Sequence, residues 1–159
     1  MGFAERAVAA CVRAFEAGRA DEQKAQDILK CSRVDVNPIE PYLKHESFSI
    51  RYMAARIIGE KGNVKALMEA AKTEKDGFIA ARMMGYLGKR GAEGLEAFES
   101  LLRSDNEILK EAAIQMFRKS GHKDALFPMV FDENDWVVQR IKRYLNEQEQ
   151  DRSAPDLRE

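Results

Sequence analysis

The sequence is poor in the residues that build metal centres, redox pairs and β-sheets. Two cysteines, two histidines, four prolines and one tryptophan are spread over 159 residues. Cys11 and Cys31 stand without CxxC spacing or neighbouring histidines, which excludes a zinc knuckle and a dithiol redox motif. Cys11 shares a helical face with Ala7, Ala14 and Phe15, so it reads as a buried free thiol. No apolar run approaches the roughly 20 residues that span a bilayer. The N-terminal MGFAERAVAACVRAFEAGR is interrupted by Glu5, Arg6 and Arg13, which breaks the apolar core a secretion signal needs. Met1-Gly2 opens as a myristoylation site does, but Arg6 and Ala7 follow where the motif wants a Ser or Thr. The expected compartment is therefore cytoplasmic. Strict apolar–polar alternation never persists beyond about five residues, so strands are not expected.

Helical periodicity fills the space these absences leave. Apolar residues recur at three and four almost throughout, and helix punctuation is frequent. Gly62-Asn63 is expected to end one helix in the left-handed conformation and cap the next. Gly91, Asp105 and Gly121 are expected to punctuate in the same way. Asn37-Pro38 is expected to open a helix with a cap and a first-turn proline. Met53, Met68, Met83, Met84, Met116 and Met129 sit at helical spacing and read as core fillers.

The helices repeat. Aligning Gly62 on Gly91 sets Ile50 on Ile79, Ala54 on Met83, Ile58 on Leu87 and Gly59 on Gly88. A third copy carries Leu109, Ala112, Ala113, Phe117 and Gly121, and a degenerate fourth carries Val137, Val138, Ile141, Tyr144 and Leu145. An amphipathic segment precedes each: NPIEPYLKHE, NVKALMEAAKTE, AEGLEAFESLLRS and KDALFPMVFDE. Self-similarity at a period of about 30 residues is the signature of a solenoid, in which stacked helix pairs share one core. The expected organisation is a single domain over 1–145: a capping helix pair in 1–36, then units at about 37–62, 63–91, 92–121 and 122–145. A polar tail, 146–159, follows.

The second helix of each unit resembles the HEAT-like repeat first associated with phycobiliprotein lyases, roughly V-R-x-x-A-A-x-x-L-G-x-x-G. Ile50, Arg51, Ala54, Ala55, Ile58, Gly59 and Gly62 match it in order. The second unit keeps Ile79, Leu87, Gly88 and Gly91 but has Ala80 for the arginine, and the third keeps Leu109, Lys110, Ala112, Ala113 and Gly121. The resemblance covers about 37–145. It implies an all-α fold, a right-handed α-α superhelix of HEAT-like helix pairs whose second (B) helices line the concave surface. It implies nothing specific about function, because its positions serve packing and turns.

Enzymes on the same scaffold lack their residues here. Deoxyhypusine hydroxylase needs repeated His-Glu pairs for iron, whereas His45-Glu46 is alone and His122 has no adjacent Glu. HEAT-like DNA glycosylases use aromatics with an acid, for which Asp135-Trp136 is the local candidate, and Trp136 reads as packing in the terminal unit. No GxSxG, Cys–His or phosphate-loop pattern occurs, and GKRGAEG at 88–94 is a turn between helices. The sequence assigns no catalytic residue, no metal ligand and no cofactor.

Charge supplies one asymmetry. The B helices with their turns hold 12 basic and 4 acidic residues, and the preceding (A) segments hold 6 and 12. With the resemblance, this places a basic stripe on the concave face: Arg51, Arg56, Arg82, Lys89, Lys110, Arg118, Arg140 and Arg143. The expected function is a non-enzymatic scaffold or adaptor gripping a protein partner with an acidic or helical segment. The alternatives are a nucleic-acid binder, remotely glycosylase-like, a subunit of a larger HEAT assembly, or simply solvated and locally paired side chains. The net charge of -1 and pI near 6.2 are unlike a dedicated nucleic-acid binder.

Overall fold

Short polar side chains start several of the helices. Asp21 Oδ1 accepts from Lys24 N at 3.2 Å and Asn63 Oδ1 from Lys65 N at 2.9 Å. Asp76 Oδ1 accepts from Phe78 N and Ile79 N at 2.9 and 3.1 Å. Each satisfies first-turn N–H groups that have no intrahelical partner. The structure, a computed structural model, describes residues 2–103 and 105–120 together with Gln139, Lys142, Arg143 and Asn146. Among these residues all regular structure is helical: α1 (Phe3–Glu16), α2 (Glu22–Leu29), a 3₁₀ helix (Asn37–Lys44), α3 (Phe48–Lys61), α4 (Val64–Thr73), α5 (Gly77–Gly88), α6 (Gly91–Leu102) and α7 (Glu107–Ser120). The described part of the chain is all-α, as its periodicity predicts. No helix among the described residues is long and apolar enough to cross a membrane. Gly121, His122, Trp136, Arg140, the apolar positions of the fourth copy and residues 147–159 lie outside the described residues.

Three local expectations need correction. The segment after Asn37 is a 3₁₀ helix, with Pro41 inside it. Pro41 lacks an N–H and its ring crowds the carbonyl of Asn37 four residues back, which disfavours the α-helical ladder there. Gly62 is extended, at φ -103 and ψ -160, rather than left-handed. Its lack of a side chain serves space instead, since a Cβ would lie 2.9 Å from Ile58 Cα and Cδ1. At the start of α7 the capping oxygen belongs to Asn106, which accepts from Leu109 N at 3.4 Å, and not to Asp105. Gly91 does adopt the left-handed region, at φ 59.

The left-handed stop of α1 is at Gly18, φ 71. There Arg19 N donates to Ala14 O at 2.8 Å and Gly18 N to Phe15 O at 2.9 Å, the paired bonds of a Schellman motif. This turn sends the chain back so that α2 packs on α1.

Two compact units make up the chain, Met1–Ala97 and Phe98–Glu159, the division falling inside α6. In the first unit α3 is central, packing on α2, the 3₁₀ helix, α4 and α5. Its sequence allows this: Ile50, Met53, Ala54, Ala55, Ile57, Ile58 and Gly59 are all buried, so most of its circumference is apolar or small. Ile39 from the 3₁₀ helix, Leu67 from α4, and Ile79, Met83 and Leu87 from α5 complete this core. Each fully buried side chain of this size contributes about 1.5–3 kcal/mol. In the second unit Leu101, Leu102, Leu109, Ala113 and Ile114 are buried.

Candidate binding surface on α3 and α5

Because α3 and α5 turn Ile50 and Ile79 into the core, the residues just before them point elsewhere. Phe48, at the first position of α3, is 45% exposed, and Phe78, near the start of α5, is 54% exposed. With Tyr52, one turn beyond Phe48, they form a continuous ring cluster. Phe48 and Tyr52 stack with centroids 6.4 Å apart and an interplanar angle of 1°. Phe78 lies 6.3 Å from Phe48 and 5.7 Å from Tyr52, also stacked. The Arg82 guanidinium carbon sits 5.4 Å from the Phe78 centroid, a cation–π contact. Just past the end of α5, Lys89 Nζ lies 6.0 Å from the Tyr86 centroid.

Tyr86 also fastens the two helices. Its ring occupies the space above Gly59, where any Cβ would overlap ring atoms. Burial raises the Tyr86 phenol above its ordinary pKa, with Tyr52 and Glu60 adding to the effect. From the end of the same hairpin Arg90 reaches back to the C-terminus of α3. It donates to Gly59 O at 3.1 Å and Gly62 O at 2.9 Å, satisfying carbonyls that the helix leaves open.

The basic residues expected to form one stripe have separate surroundings. Arg51 Nε donates to Glu74 Oε2 at 3.0 Å, and its Nη1 donates to His45 O and Glu46 O at 3.0 and 2.8 Å. Arg56 donates to Glu22 at 2.7 Å and lies 3.9 Å from Glu60. This contact, after the Gln26 hydrogen bond, lowers the pKa of Glu22. Lys110, on α7, is buried at 7% exposure. Arg82, Lys89 and Arg143 are exposed, and Arg118 lies within the α7 backbone span. The positive charge of α3 is therefore in part the counterpart of acids elsewhere in the first unit: Glu74 after α4 and Glu22 on α2. Arg82 and Lys89 form no ion pair among the described residues.

His45, half of the lone His-Glu pair, serves the turn before α3, where its Nδ1 accepts from Ser47 N at 3.0 Å. With Lys44, Glu46, Arg51, Thr73 and Glu74 it helps line a cavity of about 310 Å³. Two of those charges, Arg51 and Glu74, are already paired across it. Among the described residues no group of three or more His, Cys, Asp or Glu side chains is arranged to hold a metal. Burial pushes the Cys11 thiol up to about 11, leaving it protonated and unreactive at neutral pH.

Sequence pattern alone did not bring out Phe48, Tyr52 and Phe78. The signal was present: Phe48 and Tyr52 are spaced i, i+4, and both Phe residues fall outside the apolar register set by Ile50 and Ile79. An exposed aromatic cluster beside unpaired cations can bury apolar surface and attract negative charge at one place. No protein-family model matches the chain, and no curated protein matches it.

Proposed function

We propose that this chain is a non-enzymatic binding module built as an α-solenoid of HEAT-like helix pairs, which engages a protein partner through the exposed side of its B helices. The internal repeat supports the solenoid. So does the order of packing in the first unit, where α5 lies against both α4 and α3, its counterpart 29 residues earlier. The single observation that carries the function is the Phe48–Tyr52–Phe78 cluster with Arg82. Folding gains little from large rings left half in water, whereas aromatic and arginine side chains dominate the energetics of protein interfaces.

A photo-crosslinking amino acid at exposed Ala81 on α5, compared with one at exposed Lys65 on α4, tests the surface. The expected result is discrete protein adducts at position 81 that are absent at 65. Equal labelling from both positions, or none from 81, would overturn the reading. A nucleic-acid function is checked by fluorescence anisotropy with single- and double-stranded DNA and RNA at about 50 and about 200 mM salt. Tight binding that collapses at the higher salt would replace a protein partner with a phosphate backbone.

A further inference from the structure

Resting on the binding-module reading, we infer that the stripe Phe78–Arg82–Gly85–Lys89 along α5, flanked by Phe48 and Tyr52 of α3, docks an acidic amphipathic peptide segment. Phe78, Arg82 and Gly85 recur at intervals of four and three on one face of α5, and Lys89, four residues beyond Gly85, is the C-cap residue that continues the line. The middle of the stripe is open, because a Cβ at Gly85 would meet nothing within 4 Å. The stripe is therefore a shelf: rings at one end, a cation beside them, bare backbone, then a second cation.

Charge decides the occupant. α5 carries no acidic residue along its length. The acids nearest to it in sequence are committed: Asp76 to the cap of α5 and Glu74 to Arg51. On the C-terminal side Glu93 lies 3.9 Å from Arg90, and Glu60 of α3, which acts on Tyr86 alongside Arg82, lies 3.9 Å from Arg56. Arg82 and Lys89 themselves form no ion pair among the described residues. Two cations beside three rings suit a few carboxylates and an apolar anchor better than a phosphate track, which needs a longer run of positive charge.

Spacing gives the pattern. Arg82 lies one turn beyond Phe78, and Lys89 lies seven residues beyond Arg82, about 10 Å along the helix axis. A helical ligand lying along α5 would place an apolar side chain on the rings, a carboxylate four residues away and another eleven residues away. An extended ligand would space its two carboxylates about three residues apart. The rings supply burial and the cations set register and charge preference.

The test selects a displayed library of random peptides of about 15 residues on the full-length protein. The same selection is run on the R82E/K89E double variant, on F78S, and on K65E as a control outside the stripe. Circular dichroism melts of each variant check that the exposed substitutions leave the fold intact. Wild-type protein and K65E should enrich sequences pairing an apolar residue with Asp or Glu at one of the two spacings. A representative peptide should bind at least about tenfold more weakly to F78S and to R82E/K89E. The double variant should instead enrich Lys and Arg at the acidic positions. Enrichment of neutral or basic peptides by the wild type, no enrichment, or an acidic preference that survives R82E/K89E would each overturn the proposal. If crosslinking from position 81 still yields protein adducts in any of those cases, the binding-module reading stands and only the ligand chemistry is wrong. If oligonucleotides bind the stripe instead, both fall.

Discussion

Arg51 of α3 and Glu74, just past the end of α4, meet in one partly buried contact: Nε lies 3.0 Å from Oε2, with the carboxylate side chain only 3% exposed. The same guanidinium holds the carbonyls of His45 and Glu46, so it fixes the turn before α3 and the end of α4 together. Removing it leaves a nearly buried carboxylate with the Asp76 N–H, at 2.9 Å from Oε1, but without its cation, the costly half of a broken ion pair. Arg51→Ala should lower the unfolding free energy by about 2–4 kcal/mol. Arg51→Lys should recover only part of that, because an ammonium cannot reproduce the fork. Arg56–Glu22 is the internal control. Its carboxylate side chain is 60% exposed, and Arg56→Ala should cost below about 1 kcal/mol. Urea denaturation of the three variants checks the ranking, and equal costs for Arg51→Ala and Arg56→Ala would refute it.

Gly59 and Gly85 make opposite predictions from one substitution. At Gly59 a methyl group overlaps the Tyr86 ring, so Gly59→Ala should force the α3–α5 contact apart and cost about 1–3 kcal/mol. At Gly85 the same methyl meets nothing within 4 Å, and alanine's helix preference should stabilise the protein by about 0.5–1 kcal/mol. Thermal melts of the two variants should move in opposite directions.

The helical class was legible because hydrophobic period is a local signal, whereas of the helix ends expected from sequence Asn63 and Gly91 act as expected and the left-handed Gly62, the Asp105 cap and the Asn37 cap do not. Asn63 caps where a short polar side chain before an apolar run should, and Asp76 does the same at the start of α5, a cap that sequence pattern alone did not bring out. The 3₁₀ helix was less legible, since it depends on the Pro41 ring crowding one particular carbonyl rather than on composition. The basic residues were the least legible. Formal charge counts Arg51, Arg56, Arg82 and Lys89 alike, whereas the fold commits the first two to Glu74 and Glu22 and leaves the others exposed. Pairing across 23 and 34 residues is a tertiary property with no local signature.

Arg90 supplies a further tie that sequence spacing does not announce. Its two bonds to Gly59 O and Gly62 O close the C-terminus of α3 from the following hairpin. Arg90→Ala should cost about 1–2 kcal/mol, and the opening should be local. Hydrogen exchange should accelerate at the amides of the last turn of α3 more than at those of its first turn. Uniform acceleration along α3 would show that the bonds support the whole unit instead.

The two cysteines should differ in reactivity. Cys11 is fully buried with its thiol pushed up to about 11, while Cys31 is partly exposed and donates its S–H to Asp27 O at 3.2 Å. At neutral pH a thiol-alkylating reagent should label Cys31 first, with Cys11 modified only on unfolding. The raised pKa also sets an alkaline limit. Its contribution is intact below the unfolded value of 9.0 and is lost as pH rises through about 11, on the order of 2 kcal/mol. Denaturation midpoints should fall across that window in the native protein by more than in a Cys11→Ala variant.

Stability measurements also separate the aromatic cluster from the core it adjoins. Ile57 is fully buried, and Ile57→Ala should cost about 2–5 kcal/mol from lost burial and the cavity left behind. Phe78 has a larger side chain but remains 54% exposed, and half of its surface gains nothing from folding. Phe78→Ser should therefore cost below about 1.5 kcal/mol, although it removes more atoms than Ile57→Ala. If Phe78→Ser proved as damaging as Ile57→Ala, the rings would belong to the packing of α3 on α5, and their exposure would need no ligand. If the cost is small, a large ring is held at the surface for little folding benefit, and binding is the physical reason left for keeping it there.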